Sequence, residues 1–281
     1  MCSMSASELH IDGSQLKKVD TFKYLGSHIS ANGRIDDKIN HRVKQANRAY
    51  GRLSNRVFHS RNITLTTKVL TYNAVVFSSL LYGSETWTLY RHHLQPLENF
   101  HNASLRKILG ITWKDKVPDT EVLRRTKSVS VENIVFRSHL RWLGHVIRMD
   151  DSRLPKQLLY GELSKGTRPV GRQQKRYRNQ FLAVLKACHI SSGNLEALAK
   201  DRAKWRETCR KGLQIRERDR TKWLEERRQK RKDNLSKAAQ RPPSLFCNVC
   251  GRGCLSPIGL ISHSRVHKKK QVKKTCNNIS H

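Results

Sequence analysis

Acidic residues are scarce in this 281-residue chain: 22 Asp and Glu stand against 56 Lys and Arg, a formal net charge of +34. Such an excess repels itself unless a polyanion neutralises it. Nucleic acid is therefore the expected partner, bound with a strong salt dependence as counterions leave the phosphates. Long apolar runs are missing too. The longest, Ala74–Leu81, is interrupted by Ser78 and Ser79 and falls short of the roughly 20 residues that span a bilayer, so no membrane partner is expected. The N-terminus lacks a basic stretch followed by an apolar one, which predicts no secretion signal and a reducing compartment. The seven cysteines are then expected as thiols or metal ligands rather than disulfides. Hydrophobic residues amount to only 37%, low for a single large globule, so a packed core is expected mainly in the first half. No glycine-rich phosphate loop follows a strand, and neither nucleotide hydrolysis nor a small-molecule substrate is expected.

What is present predicts a mainly α chain. Residues 1–30 read as β: Leu9–Ile11 and Gln15–Val19 flank Asp12-Gly13, a pair that tolerates the positive φ of a tight hairpin turn, and Phe22–Gly26 offers a further strand. Residues 31–160 read as a helical domain. Ile35, Ile39, Val43, Ala46, Tyr50, Leu53 and Val57 recur at three- and four-residue steps, one stripe of an amphipathic helix. Asn62 or Thr64 can cap the next helix, apolar nearly all round and stopped by Gly83. A third runs through Leu94, Leu97, Phe100, Leu105 and Ile108 to Gly110, and a fourth through Ile134, Leu140, Leu143 and Ile147.

Residues 161–193 form a basic connector. Its stretch Ser164–Arg178 carries Lys165, Arg168, Arg172, Lys175, Arg176 and Arg178 with no acid, the expected phosphate contacts of the chain. Residues 194–240 read as one long charged helix, ended by Pro242 and Pro243. Within it Asp201–Glu207 is echoed by Asp219–Glu225. The 18-residue offset is about five turns and sets Trp205 and Trp223 on one face about 27 Å apart. Two roles remain open for them: packing on neighbours or stacking on bases along a strand of nucleic acid. Arg227–Lys232 is a basic cluster that predicts nuclear localisation, with the cytoplasm as the alternative.

The sharpest pattern lies near the C-terminus. Cys247, Cys250, His263 and His267 follow the spacing C-x2-C-x12-H-x3-H, four ligands for a tetrahedral Zn2+. The histidines lie one helical turn apart and face one ion. Phe246 and Leu260 stand where a small finger needs apolar core. Residues 246–267 resemble the C2H2 zinc finger family, with one departure. Cys254 replaces a bulky aromatic and serves as a small core residue or a competing ligand; four better-spaced ligands favour the first. Ser256, Gly259 and Ser262 occupy base-reading positions and lack bidentate chemistry, which predicts largely nonspecific binding to RNA or DNA. Residues 268–281 form a basic tail, whose Lys268, Lys269 and Lys270 add phosphate contacts.

Several segments read together resemble the C-terminal region of a non-LTR (LINE-type) retrotransposon reverse transcriptase. They are Phe22–Ser27, Leu81–Trp87, Leu105–Ile111, Leu140–Met149, the Gly171-Arg172 segment and Asp201–Arg206, and together they cover most of residues 20–210. The resemblance implies a polymerase thumb and connector that grip template and primer, with the finger as an accessory grip. It also implies that the family's two-metal polymerisation chemistry lies in an upstream palm whose Tyr-x-Asp-Asp hairpin is not among these residues. Met149-Asp150-Asp151 follows an amphipathic helix and reads as its terminal turn. Asp36-Asp37 reads as a pair favoured by a helix N-terminus. His92, His93, His139 and His145 read as surface or packing residues without matching acids, and Cys188 and Cys209 as buried thiols. No catalytic residues are assigned. The function expected is zinc-dependent nucleic-acid binding by a catalytically incomplete retroelement fragment. The alternatives are an accessory part of an active RNA-directed DNA polymerase and a chromatin or transcription adaptor.

Overall fold

The structure, a computed structural model, describes residues 10–15, 19–31, 33–161, 175–239 and 245–277. The chain is mainly helical. Near the N-terminus β1 (His10–Ile11) pairs antiparallel with β2 (Ser14–Gln15) across Asp12 and Gly13, both at positive φ, which is the geometry that the Asp-Gly pair predicts. The strand expected at Phe22–Gly26 is β3 (Thr21–Tyr24), and it has an unforeseen partner, β4 (Ser27–Ser30), reached through Leu25 and Gly26 at φ 46° and 76°. His28 and Ser27 gave no apolar alternation from which β4 could be read.

Helix α1 (Asp36–Leu53) carries the expected stripe inward, with Ile39, Ala46 and Tyr50 buried. Thr64 caps α2 (Leu65–Thr71) by accepting from the Thr67 N–H at 3.3 Å. The helical path continues through a π-helical turn, Tyr72–Phe77, into α3 (Ser78–Leu80). The wider turn displaces carbonyls from their usual partners, and the Ser78 and Ser79 hydroxyls donate to Ala74 O and Val75 O at 2.6 and 2.7 Å. The serines that break the apolar run in the sequence thus mend the backbone at that same point. Helix α4 (Arg91–Leu109) ends at Gly110, whose φ of 68° lets Ile111 N–H reach back to Arg106 O. Two short helices lay outside the sequence expectation, α5 (Asp119–Arg125) before α6 (Val131–Ile147), and α7 (Leu154–Tyr160) after it.

Two apolar cores meet along α6. The first gathers Ile39, Tyr50, Phe58, Tyr72, Leu80, Trp87, Leu97 and Leu105 with Val131 and Val135 of α6. The second takes Phe136, Leu140, Leu143 and Val146 of the same helix and packs them against α8 (Tyr177–Ala187), with Phe181, Val184 and Leu185, and against Trp205 and Leu213. The expected single charged helix over 194–240 is two: α9 (Leu195–Lys200) and α10 (Arg202–Ala239). Asp201 is extended between them, and its carboxylate accepts from Ala203 and Lys204 N–H at 2.9 and 3.0 Å. It is an N-cap in the middle of a charge-rich run.

Trp205 is 3% exposed and donates from its indole N–H to Leu140 O at 3.1 Å. Gly144 is what admits it, since a Cβ there would lie 2.2 Å from the indole nitrogen. Lower on α10, the Glu217 carboxylate accepts from Ser130 N–H, Ser130 Oγ and Asn133 Nδ2 at 3.1, 2.7 and 3.0 Å. It places negative charge on the N-terminus of α6.

The chain divides into two units, Met1–Asp219 and Arg220–His281. The second holds the remainder of α10, then β5 (Leu245–Phe246), β6 (Gly253–Cys254) and α11 (Pro257–Asn277). Among the described residues no helix is long and apolar enough to cross a membrane.

Candidate metal centre

The segment expected to form a finger starts from a hairpin of two two-residue strands. Leu245 pairs with Cys254 and Phe246 with Gly253. The turn between them is closed by Cys247 N–H to Arg252 O at 3.0 Å and Gly251 N–H to Cys247 O at 2.8 Å, with Gly251 at φ 67°. That left-handed residue lets the chain double back so that both sulfurs of the C-x-x-C face one side. Ser256 then starts α11, its hydroxyl accepting from Gly259 N–H at 3.1 Å, with Pro257 at the first helical position.

The result brings Cys247, Cys250, His263 and His267 together, with ligand atoms all within 4.8 Å of one another. Cys250 Sγ lies 3.0 Å from His263 Nε2, and the two Nε2 atoms lie 3.0 Å apart. Zn–N and Zn–S bonds of about 2.0 and 2.3 Å imply ligand separations near these values, so the set can hold one tetrahedral ion and is compatible with zinc. The imidazole planes stand at 89° to each other. The Val249 N–H, with that of Cys250, lowers the Cys247 pKa against the opposing effect of burial. Desolvation, followed by the charges of His267 and Arg252, lowers that of His263. Both shifts favour the deprotonated forms that bind metal.

Cys254 stays outside the ligand set and is buried opposite Leu245, the small core role rather than the competing one. The expected core role of Phe246 is corrected: the residue is 59% exposed. Successive strand residues point to opposite faces, so the face that carries Cys247 also carries Leu245, and the aromatic is left outside.

A second cluster is one that the sequence did not predict. Asp36 Oδ1, at the start of α1, lies 3.0 Å from His93 Nε2 and 3.5 Å from His92 Nε2, at the start of α4. The expectation that these histidines lack a matching acid is corrected; 57 residues of sequence separate the pair, beyond any local pattern. His93 Nδ1 accepts from Tyr90 N–H at 3.2 Å, which places the ring proton on Nε2, facing the carboxylate. That tautomer makes a helix-to-helix hydrogen bond rather than a metal ligand. Burial opposes it, but the His93 hydrogen bond and charge hold Asp36 below its usual range.

His139 is wholly buried, and His101 nearly so, donating to or accepting from Tyr72 OH at 3.0 Å; both are packing residues, whereas His145 is exposed. Burial raises the Cys188 thiol to about 11 and that of the half-buried Cys209 to about 12. Asp150 Oδ1 accepts from Ser152 N–H and Oγ at 2.9 and 2.6 Å, a turn after α6 in keeping with its reading as a helix end.

Of the expected phosphate contacts, Lys165, Arg168 and Arg172 lie outside the described residues, as do the side chains of Lys268, Lys269 and Lys270 on α11. Arg176, which precedes α8, and Arg178, in its first turn, are exposed. Lys175 is engaged internally: its ammonium donates to Leu89 O at 3.0 Å and Gln180 Oε1 at 3.2 Å, near the Tyr90 ring. Proximity to the first core, invisible along the sequence, turns the Lys175 ammonium inward. Trp223 is 46% exposed, with the Arg227 guanidinium 4.5 Å from its ring centroid.

Comparison with known proteins gives a partial answer. No family model matches the chain, and no solved structure matches it. An uncharacterized transposon-derived protein of Caenorhabditis elegans is 28% identical over 204 residues, covering 68% of this chain and 70% of that protein. This similarity supports a transposon origin.

Proposed function

We propose that this chain is a zinc-dependent nucleic-acid-binding protein derived from a non-LTR retroelement, one that binds rather than polymerises. The observation that carries the reading is the convergence of Cys247, Cys250, His263 and His267 within 4.8 Å in a chain of net charge +34. The metal would fold a small basic module, and the excess charge would meet phosphates. The similarity to a transposon-derived protein supports the transposon origin within this reading. Arg176 and Arg178, with Lys165, Arg168, Arg172 and the tail lysines, would make sequence-independent phosphate contacts. The basic cluster Arg227–Lys232, exposed on α10, would direct the chain to the nucleus, which a fluorescent fusion with and without the cluster tests.

The purified full chain should take up one Zn2+ and bind single- and double-stranded polynucleotides at low salt, with an affinity that falls steeply as salt rises. Metal uptake is read by elemental analysis and binding by fluorescence anisotropy. A chain that takes up no zinc, or ignores every polynucleotide at low salt, overturns the proposal. Primer extension in Mg2+ by this chain alone would replace it with the polymerase reading.

A further inference from the structure

One side of the first unit holds a cleft of about 610 Å3 lined by Arg141, Arg148, Arg202 and Arg206, together with Trp142 and His145. The geometry points to a phosphate-binding cleft for single-stranded nucleic acid, formed where α6 meets the start of α10. The inference rests on the nucleic-acid-binding reading and locates a site within it that neither the basic connector nor the finger supplies.

Helical spacing builds the walls. Arg141 and Arg148 are seven residues apart, two turns of α6 and its cap, while Arg202 and Arg206 are one turn apart on α10. Trp205, seated over Gly144 in the same cleft, holds the two helices at the distance that makes the guanidiniums converge. Among the described residues no salt bridge joins a carboxylate to any of the four arginines, and Glu85 is the one acid in the lining. Arg148 is part-buried: one guanidinium nitrogen donates to Ala199 O at 2.7 Å, and its Nε is buried without a partner. Burial, then the charges of Arg202 and Arg206, lower its pKa. Four cations gathered around a concave surface repel one another until an anion enters, and planar guanidiniums match phosphate oxygens in pairs.

The shape selects among phosphate ligands. The volume falls in the range of small-molecule pockets, about 300–1,000 Å3, with room for a nucleotide or two and none for a double helix. Trp142 is half-buried, its indole N–H donating to Tyr177 OH, and its ring stands 5.4 Å from that of His145. Indole and imidazole offer faces for unpaired bases, whatever their sequence.

The test uses the full zinc-loaded chain, a fluorescent ten-nucleotide oligothymidylate and a duplex of equal length, read by anisotropy over a salt series. Arg202→Gln with Arg206→Gln removes two exposed cations; Arg228→Gln with Lys230→Gln removes the same charge from the far part of α10. The cleft variant should lose about tenfold in single-strand affinity, with a salt slope shallower by about 1.4, and under twofold for the duplex. The control should change each by less than twofold. In the presence of the oligonucleotide the native chain should also show quenched tryptophan emission, and a Trp142→Phe variant much less quenching. If the two double variants weaken single-strand binding equally, or the cleft variant binds like the native chain, the cleft assignment falls while general nucleic-acid binding stands. A native chain that binds neither probe removes the general reading and this one with it. Should the cleft variant misfold by circular dichroism, Arg202→Lys with Arg206→Lys keeps the charge, and undiminished single-strand binding by that variant overturns the guanidinium assignment.

Discussion

The first unit and the finger reach order by opposite means. The first buries Tyr72, Trp87, Leu97, Leu140, Phe181 and Trp205 in two joined cores, and burial of this kind contributes on the order of 2 kcal/mol per large side chain. The finger buries little: Ile258 is 80% exposed, Ile261 and Phe246 more than half, and its enclosed residues are the ligand Cys247 and the small Cys254. Its four candidate ligand side chains approach within 4.8 Å, an arrangement compatible with a bound metal ion. One region is held by apolar area, and the other is expected to be held by coordination.

The strongest way to break this contrast is to remove the metal. Chelation, or Cys250→Ser, should unfold residues 245–277, a loss on the order of 10 kcal/mol, and leave the thermal transition of the first unit in place. Amide exchange read by region checks it, and a finger that stays protected without zinc would end the distinction. Acid should strike the core next. Burial holds His101 and His139 down to about 4, below their ordinary 6.5, so the folded state prefers them neutral. Their contribution is complete above pH 6.5 and declines as the unfolded chain takes up protons down to pH 4, by roughly 1.4 kcal/mol per pH unit for each. Denaturation midpoints of the first unit between pH 7 and 4.5 measure this, and His139→Phe should flatten the dependence.

Smaller effects sharpen the same comparison. Gly144→Ala drives a methyl into the Trp205 indole and should cost the first unit about 3 kcal/mol with zinc uptake unchanged. Glu217→Ala strips three hydrogen bonds from the start of α6 and should cost about 2 kcal/mol, seen as a lower urea midpoint at an unaltered slope. Least of all, Trp223→Ala, on the exposed part of α10, should stay within about 0.5 kcal/mol. A larger loss there would mean that this tryptophan packs as Trp205 does.

That pair of tryptophans shows where reading along the chain stops. The repeat that holds them is nearly identical in sequence, yet Trp205 is buried and Trp223 is not, because only the first meets Gly144 of another helix. Repetition records local spacing and carries nothing about which neighbour is present. The finger was legible for the converse reason. Its ligands lie within 21 residues and their spacing is itself the geometry, so Cys247, Cys250, His263 and His267 could be named directly. Even there Phe246 was misassigned, since a two-residue strand is too short to reveal which face turns inward. The Asp36–His93 bond and the Glu217 clamp span 57 and 87 residues, and no periodicity reports such a distance.

By itself the sequence determined the mainly helical class, the stripes of α1, α4 and α6, the Asp-Gly hairpin and the clustering of Cys247, Cys250, His263 and His267. Each depends on interactions within a few residues, where side-chain period and backbone preference act alone. Only the tertiary structure decided that α8 and the start of α10 belong to the core with α6, that Lys175 turns inward, and that four arginines from two helices line one cleft. Those outcomes follow from which surfaces meet, and burial energy depends on the partner across the contact as much as on the residue that makes it.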